Sequence, residues 1–229
     1  KGRLQLGIGL SHRPVVEDQM GLSYERPAQH MSEYLEALDS LLRTGEANVK
    51  GELLRCEASI SPFKESPPPV LLAALGPRML ALAGRAAAGT VLWLTGPKTV
   101  REHVVPRIRE AAEQANRPAP RIVAGLPICV TDDPERARHG AKKIYASIGL
   151  FSSYKAVLAR EGASGPEDVA LIGDESEVAA SLEEMHDAGV TEFVGMDLSR
   201  TEPEAERTRV LLRTFAARAG ESKNESKGA

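Results

Sequence analysis

Aromatic side chains are scarce in this chain, 4% of 229 residues with one Trp, and Ala, Leu, Val and Gly supply the apolar content instead. That balance suits close packing of helices on a sheet better than a sandwich. Cysteine is nearly absent. Cys56 and Cys129 lie far apart with no CxxC or Cys/His ligand spacing, which excludes a disulfide framework and a zinc site and points to reduced thiols. No excess of positive charge exists either: the formal net charge is −3 with no basic block, so nothing attracts the chain over long range to nucleic acid or an anionic membrane. No apolar run approaches the length of a membrane span, and no charged segment followed by an apolar one opens the chain. A soluble, cytoplasmic protein without nucleic-acid or membrane partners is expected.

With 42% hydrophobic and 27% charged residues, the chain can bury a substantial core. It begins without Met, almost at once inside an alternating strand (Leu4, Leu6, Ile8), so sequence upstream is expected. From Pro27 the positions Met31, Tyr34, Leu35, Leu38, Leu41 and Leu42 follow helical spacing, with Gly45 as the stop. Residues 46–66 read as a small hairpin turning at Lys50-Gly51, then a rigid Pro-rich approach. Further on, a helix from Pro97 to Gln114 is expected to bend at Pro106, with His103 on its surface. Ile122 to Val130 is the longest apolar strand, followed by Asp133-Pro134 as N-cap and first residue of a helix. After an interruption at 162–173, Asp174 or Ser176 caps the next helix. Val190 to Met196 is a last strand, Thr201 to Ala219 a last helix, and 221–229 a disordered tail.

The stretch from Pro67 to Lys98 organises the rest. Two strands, Val70 to Ala74 and Thr90 to Leu94, each lead through a Gly-Pro step (Gly76-Pro77, Gly96-Pro97) into a helix. Pro at the first helical position loses no hydrogen bond, and Gly before it lets a ligand approach the backbone. Two such helix N-termini offer free amides and positive dipole ends suited to a phosphate. Arg78 and Lys98, cations in a first turn where the dipole disfavours them, lean the same way. The alternative is an ordinary pair of strand-to-helix connections with both side chains in solvent.

Strict strand–helix alternation argues for a parallel sheet, doubly wound or closed as a barrel. Five strands at this spacing amount to five-eighths of a (β/α)8 barrel, roughly its first three units lacking, at about 30 residues each. Residues 1–220 are expected to form one partial TIM-barrel domain. The strand ends carry Ser11 and His12, Leu75 and Gly76, Trp93 and Thr95, Cys129 and Thr131, and Asp197. They hold no Schiff-base Lys and no metal-binding cluster. A site so poor in acids, bases and nucleophiles suits a cofactor that carries the chemistry. His12 is the one acid/base candidate, or else a loop His bonded to nearby backbone. Cys129 reads as a small buried hydrophobe. Tyr145 and Tyr154 either belong to a lid over substrate or pack a helix.

The segments LGIGLSHRP, MSEYLEALDSLL, PVLLAALGPRMLALAG, GTVLWLTGP, IVAGLPICVTDDP, SSYKAVL and VALIGDESEVAASLEEMHDAGVTEF together resemble the luciferase-like monooxygenase superfamily, most of all its deazaflavin (coenzyme F420)-dependent oxidoreductases. The resemblance spans residues 2 to about 219 and implies a luciferase-like TIM barrel. It implies that Ala74, Leu75, Gly76, Pro77, Arg78 and Met79, with Thr95 and Gly96, hold the cofactor phosphate. Gly9, Ser11 and His12 would lie near its ring system. The activity implied is hydride transfer to or from a small organic substrate, in an assembly expected to be a homodimer. The alternatives are an FMN-dependent monooxygenase, a non-catalytic flavin-binding relative, or an isomerase or lyase using the same cradle for a phosphorylated substrate.

Overall fold

The computed structural model describes residues 3–61 and 66–225. Its main elements in chain order are β1 (Leu6–Ile8), α1 (Pro27–Thr44), β2 (Glu46–Lys50), β3 (Arg55–Ser59), β4 (Val70–Ala73), α2 (Pro77–Ala86) and β5 (Gly89–Trp93). There follow α3 (Pro97–Thr99), a π-type stretch (Val100–Val104), α4 (Val105–Gln114), β6 (Arg121–Val130), α5 (Pro134–Tyr145) and α6 (Ser152–Glu161). The chain ends with β7 (Leu171–Gly173), α7 (Glu175–Asp187), β8 (Glu192–Asp197) and α8 (Glu202–Glu225). It divides into two compact units, Lys1–Leu92 with Glu102–Val123, and Trp93–Arg101 with Ala124–Ala229.

In the first unit β1, β4 and β5 are parallel neighbours, with Leu6 opposite Val70, Ile8 opposite Leu72, and Leu72 opposite Thr90. Burial of Leu71 and Leu72 on successive positions of β4 shows both faces covered, as parallel sheets require. The expected hairpin forms: β2 and β3 run antiparallel, Lys50 opposite Arg55. Period-2 alternation buries Ala47 and Val49 against Ala37 of α1, with Cys56 packed beside them. Glu33 of α1 closes the turn by accepting from the amides of Leu53 (2.9 Å) and Leu54 (2.8 Å). At the end of α1, Gly45 takes φ 81°, the left-handed cap its lack of Cβ permits.

Helices α2 and α4 touch backbone to backbone. A Cβ on Gly84 would stand 2.4 Å from the Ile108 carbonyl oxygen and 2.8 Å from the Ala111 Cβ, so only Gly fits. Gly84→Leu should therefore lower the unfolding free energy by about 1–3 kcal/mol or more. An unchanged denaturation midpoint would show that the two helices do not meet there.

The expected disturbance at Pro106 lies just before it, as the π-type stretch Val100–Val104. Proline has no N–H for the Glu102 carbonyl and its ring presses on that turn, which widens. His103, expected on the surface, is instead buried at 6% exposure. Helical phase explains the correction: Val100, His103, Val104 and Ile108 share one face, and the three apolar members are fully buried.

Strand β6 begins in the first unit, at Arg121–Val123, and continues in the second from Ala124. Nine of its ten residues are buried, the mark of a strand covered on both faces. It pairs in parallel with β7, Ile128 opposite Leu171 and Val130 opposite Gly173, and also with β8. Strand β7 falls inside the stretch read from sequence as an interruption. Asp133 caps α5 by accepting from the Arg136 amide, and Asp174 forms a capping box with Glu177 at the start of α7. Helix α8 continues to Glu225, past the expected end at Ala219. The rest of the expected disordered tail, 226–229, lies outside the described residues.

Candidate cofactor site

The first unit carries one group of candidate residues on the loops that leave β1 and β4. Pairing of these strands brings Gly9 against Ala73: a Cβ on Gly9 would meet the Ala73 Cβ at 3.0 Å. Ser11 takes φ 58°, a left-handed conformation uncommon outside Gly, and its carbonyl accepts from the Tyr24 hydroxyl at 3.2 Å. Tyr24 also lies under the Arg13 guanidinium, 5.2 Å from its ring centre, while Arg13 pairs with Glu17. This brace holds the turn in which His12 sits. Partial burial lowers the pKa of His12 below 6.5, so its imidazole is neutral near pH 7 and able to accept a proton.

After β4, Ala74 is buried and Leu75 offers its carbonyl to His103 Nε2 at 3.0 Å. Gly76 is the N-cap of α2 at φ −90°, ψ 157°, and Pro77 is its first residue. No side chain caps this end, and no acidic residue lies in its first turn. Among the described residues, space over Gly76 is open: a Cβ built there meets nothing within 4 Å. Arg78 is exposed and Met79 half-buried. Beneath, the buried Thr90 hydroxyl donates to the Leu72 carbonyl at 2.8 Å and steadies the end of β4.

The second unit carries Thr95, Gly96, Tyr145 and Tyr154. Leu94, fully buried, takes φ 51°, a strained conformation for a bulky residue at the end of β5. Thr95 is also buried, and its hydroxyl donates to the Trp93 carbonyl at 3.1 Å. The amides past Gly96 already have an anion. Glu161 accepts from Lys98 N at 3.1 Å and Thr99 N at 2.8 Å, and its carboxyl carbon lies 2.5 Å from where a Gly96 Cβ would stand. Tyr154 is buried in α6, and Tyr145 meets Trp93 edge-to-face at a centroid distance of 5.5 Å. Tyr145 also packs on the cluster of Cys129, Ala137, Ala141, Ala170 and Ile172. Burial raises both phenol pKa values and that of the Cys129 thiol, so all three stay protonated.

Over residues 1–192 the sequence matches the profile of a family described as luciferase-like monooxygenase. The chain belongs to the luciferase-like monooxygenase family. It is 29% identical over 166 residues to the 5,10-methylenetetrahydromethanopterin reductase of Archaeoglobus fulgidus, covering 71% of this chain and 49% of that one. The solved coenzyme F420-dependent tetrahydromethanopterin reductase of Methanopyrus kandleri superposes with a TM-score of 0.71 at 24% identity, covering 92% of this chain and 72% of that one. An F420-dependent secondary alcohol dehydrogenase, solved with an F420–acetone adduct, gives 0.70 at 16% identity, covering 87% and 66%. This chain spans about half the length of the curated relatives it matches. Over the length it covers, its fold is the mainly parallel α/β barrel type of luciferase-like structures, as expected from sequence.

Two residues of this luciferase-like chain that sequence reasoning did not assign to the site stand beside its candidate residues. Glu161 is missed because it lies 62 and 63 positions from the amides it caps, and a Glu in a helix's last turn gives no local sign of that. His103 was legible in principle, since helical phase puts it on the apolar stripe. Elsewhere in the second unit, Glu204 ties elements together by accepting from the Thr131 hydroxyl (2.6 Å) and the Arg200 amide (3.0 Å) and pairing with Arg136. Thr131 and these partners hold its pKa at about 2, against 4.5 when free. A depressed carboxylate pKa adds stability above the free value that is lost as pH falls through the folded one. Glu204→Gln should cost about 1–3 kcal/mol at pH 7 and flatten the fall in stability between pH 4.5 and 2. Wild-type and variant curves that stay parallel in that window would refute the assignment. Among the described residues, no group of three or more His, Cys, Asp or Glu could hold a metal ion, and no helix is long and apolar enough to cross a membrane.

Proposed function

We propose that this chain belongs to an oxidoreductase that binds the deazaflavin coenzyme F420 and transfers a hydride to or from a small organic substrate. The observation that carries the reading is the start of α2: a ten-residue helix opening on a Gly-Pro step and, among the described residues, without a capping side chain, a first-turn acid or anything within 4 Å of where a Gly76 Cβ would stand. Its free first-turn amides and dipole suit a phosphate. The corresponding amides past Gly96 are satisfied by Glu161, so the phosphate rests on Gly76, Arg78 and Met79, with Arg78 free to turn toward it. F420-dependent enzymes among the solved structures that share this fold support the cofactor's identity.

When bound, the deazaflavin supplies the hydride-carrying ring carbon. The protein's part is to orient and to exclude. Gly9 lets the loop after β1 close on Ala73, and the Tyr24 brace fixes Ser11 and His12 beside it. His12, neutral at pH 7, takes or returns the proton that accompanies hydride transfer at a substrate oxygen or nitrogen.

Titrating the protein in parallel with F420 and FMN, by quenching of each cofactor's fluorescence, tests this reading. Binding of F420 at least tenfold tighter than FMN is expected. Preference for FMN would move the function to oxygen-dependent chemistry, and binding of neither, with protection by sugar phosphates, would favour the isomerase or lyase reading.

A further inference from the structure

Why a histidine occupies the apolar stripe at position 103 is explained neither by the fold nor by the chemistry above. Its neighbours on that face, Val100, Val104 and Ile108, are fully buried, and burying an imidazole among them costs free energy unless it is hydrogen-bonded. The bond it makes is specific. Nε2 lies 3.0 Å from the carbonyl oxygen of Leu75, 28 residues away and directly before Gly76. A carbonyl oxygen only accepts, so Nε2 carries the proton and donates it. The Leu75 carbonyl and the Gly76 N–H belong to one planar trans peptide and point in opposite directions. Holding the carbonyl toward His103 therefore aims the Gly76 N–H away from the Val100–Val104 stretch. Gly76 is the N-cap of α2, so this N–H is one of the amides that helix leaves without an internal partner.

We infer that His103 is a positioning residue that sets the plane of the Leu75–Gly76 peptide and so presents the Gly76 amide to the cofactor phosphate. The inference rests on the F420 reading above. It assigns His103 no contact with cofactor or substrate. Its effect is to preorganise one donor, which a free loop would have to order at the moment of binding. Glycine at 76 makes the constraint necessary, because without a Cβ the peptide before it is easily turned.

The test compares His103→Leu and His103→Gln with wild type by fluorescence titration with two probes, F420 and the deazaflavin riboside that lacks the phosphate. Leucine removes the donor, whereas glutamine can present an N–H near the position of Nε2. His103→Leu is expected to bind F420 about tenfold more weakly, the value of one hydrogen bond to a charged group, and the riboside as wild type does. His103→Gln is expected to recover most of the loss. A His103→Leu variant that binds both probes like wild type, or loses both equally, would overturn the role, the second result marking His103 as purely structural. Wild-type protein that binds F420 no better than the riboside would overturn the phosphate cradle itself, and this role with it. The ¹⁵N order parameter of the Gly76 amide in the free protein gives a readout that needs no ligand: it should fall in His103→Leu and return in His103→Gln.

Discussion

Gly76→Val is expected to weaken F420 binding by about a hundredfold or more while leaving the fold intact. The two halves of that expectation have separate causes. Backbone angles of φ −90° and ψ 157° are ones valine adopts readily, and a Cβ at this position meets nothing within 4 Å. The substitution therefore creates no clash within the chain. It fills the space a phosphate must enter to reach the first-turn amides of α2, where two or more charge-assisted hydrogen bonds, each about 1.5–3 kcal/mol, would be lost. Gly76→Ala should give a smaller loss. An unchanged dissociation constant in the valine variant, with an unchanged melting temperature, would remove the phosphate from this end of α2.

His12→Ala should lower kcat by about a hundredfold or more, the usual scale of a positioned acid or base, with a much smaller change in the dissociation constant for F420. The pH profile carries a second signature. Burial lowers the pKa of His12 below 6.5, so the neutral imidazole is lost only as pH falls through that lower value. Where the base is needed, kcat/KM should be flat near neutrality, decline on the acid side, and lose that decline in the variant. The folded protein also resists protonating this group. Stability should therefore drop as pH falls below 6.5, where the unfolded chain binds the proton first. Equal losses in kcat and in cofactor binding would make His12 a contact to the cofactor.

Much of the fold is legible in the sequence wherever a local rule acts alone. Asp133 before Pro134, Asp174 three residues before Glu177, and the alternation of Ala47 and Val49 each announce an element that the structure contains. Strand β7 escapes because three residues are too few to show a period, and its place is set by pairing with β6. Helix α8 passes Gly220 because glycine ends a helix only where the backbone turns left-handed, and no proline follows to force the stop. At the site, the Gly-Pro steps at 76 and 96 look alike in sequence yet differ in the structure. One is left open, and the other is closed by Glu161, a long-range partner that only tertiary packing reveals. His103 shows the opposite failure, since its phase beside Val104 was visible and its polarity drew it to the surface in the sequence reading.

On the proposal above, the start of α2, not the amides past Gly96, holds the cofactor phosphate. An amide ¹H–¹⁵N spectrum of the labelled protein, titrated with F420, distinguishes the two helix starts. Large shifts at Gly76, Arg78 and Met79 are expected, with Lys98 and Thr99 nearly unmoved because Glu161 keeps their amides. Large shifts at Lys98 and Thr99 with Gly76, Arg78 and Met79 unchanged would contradict the account and show that Glu161 gives way to the phosphate instead.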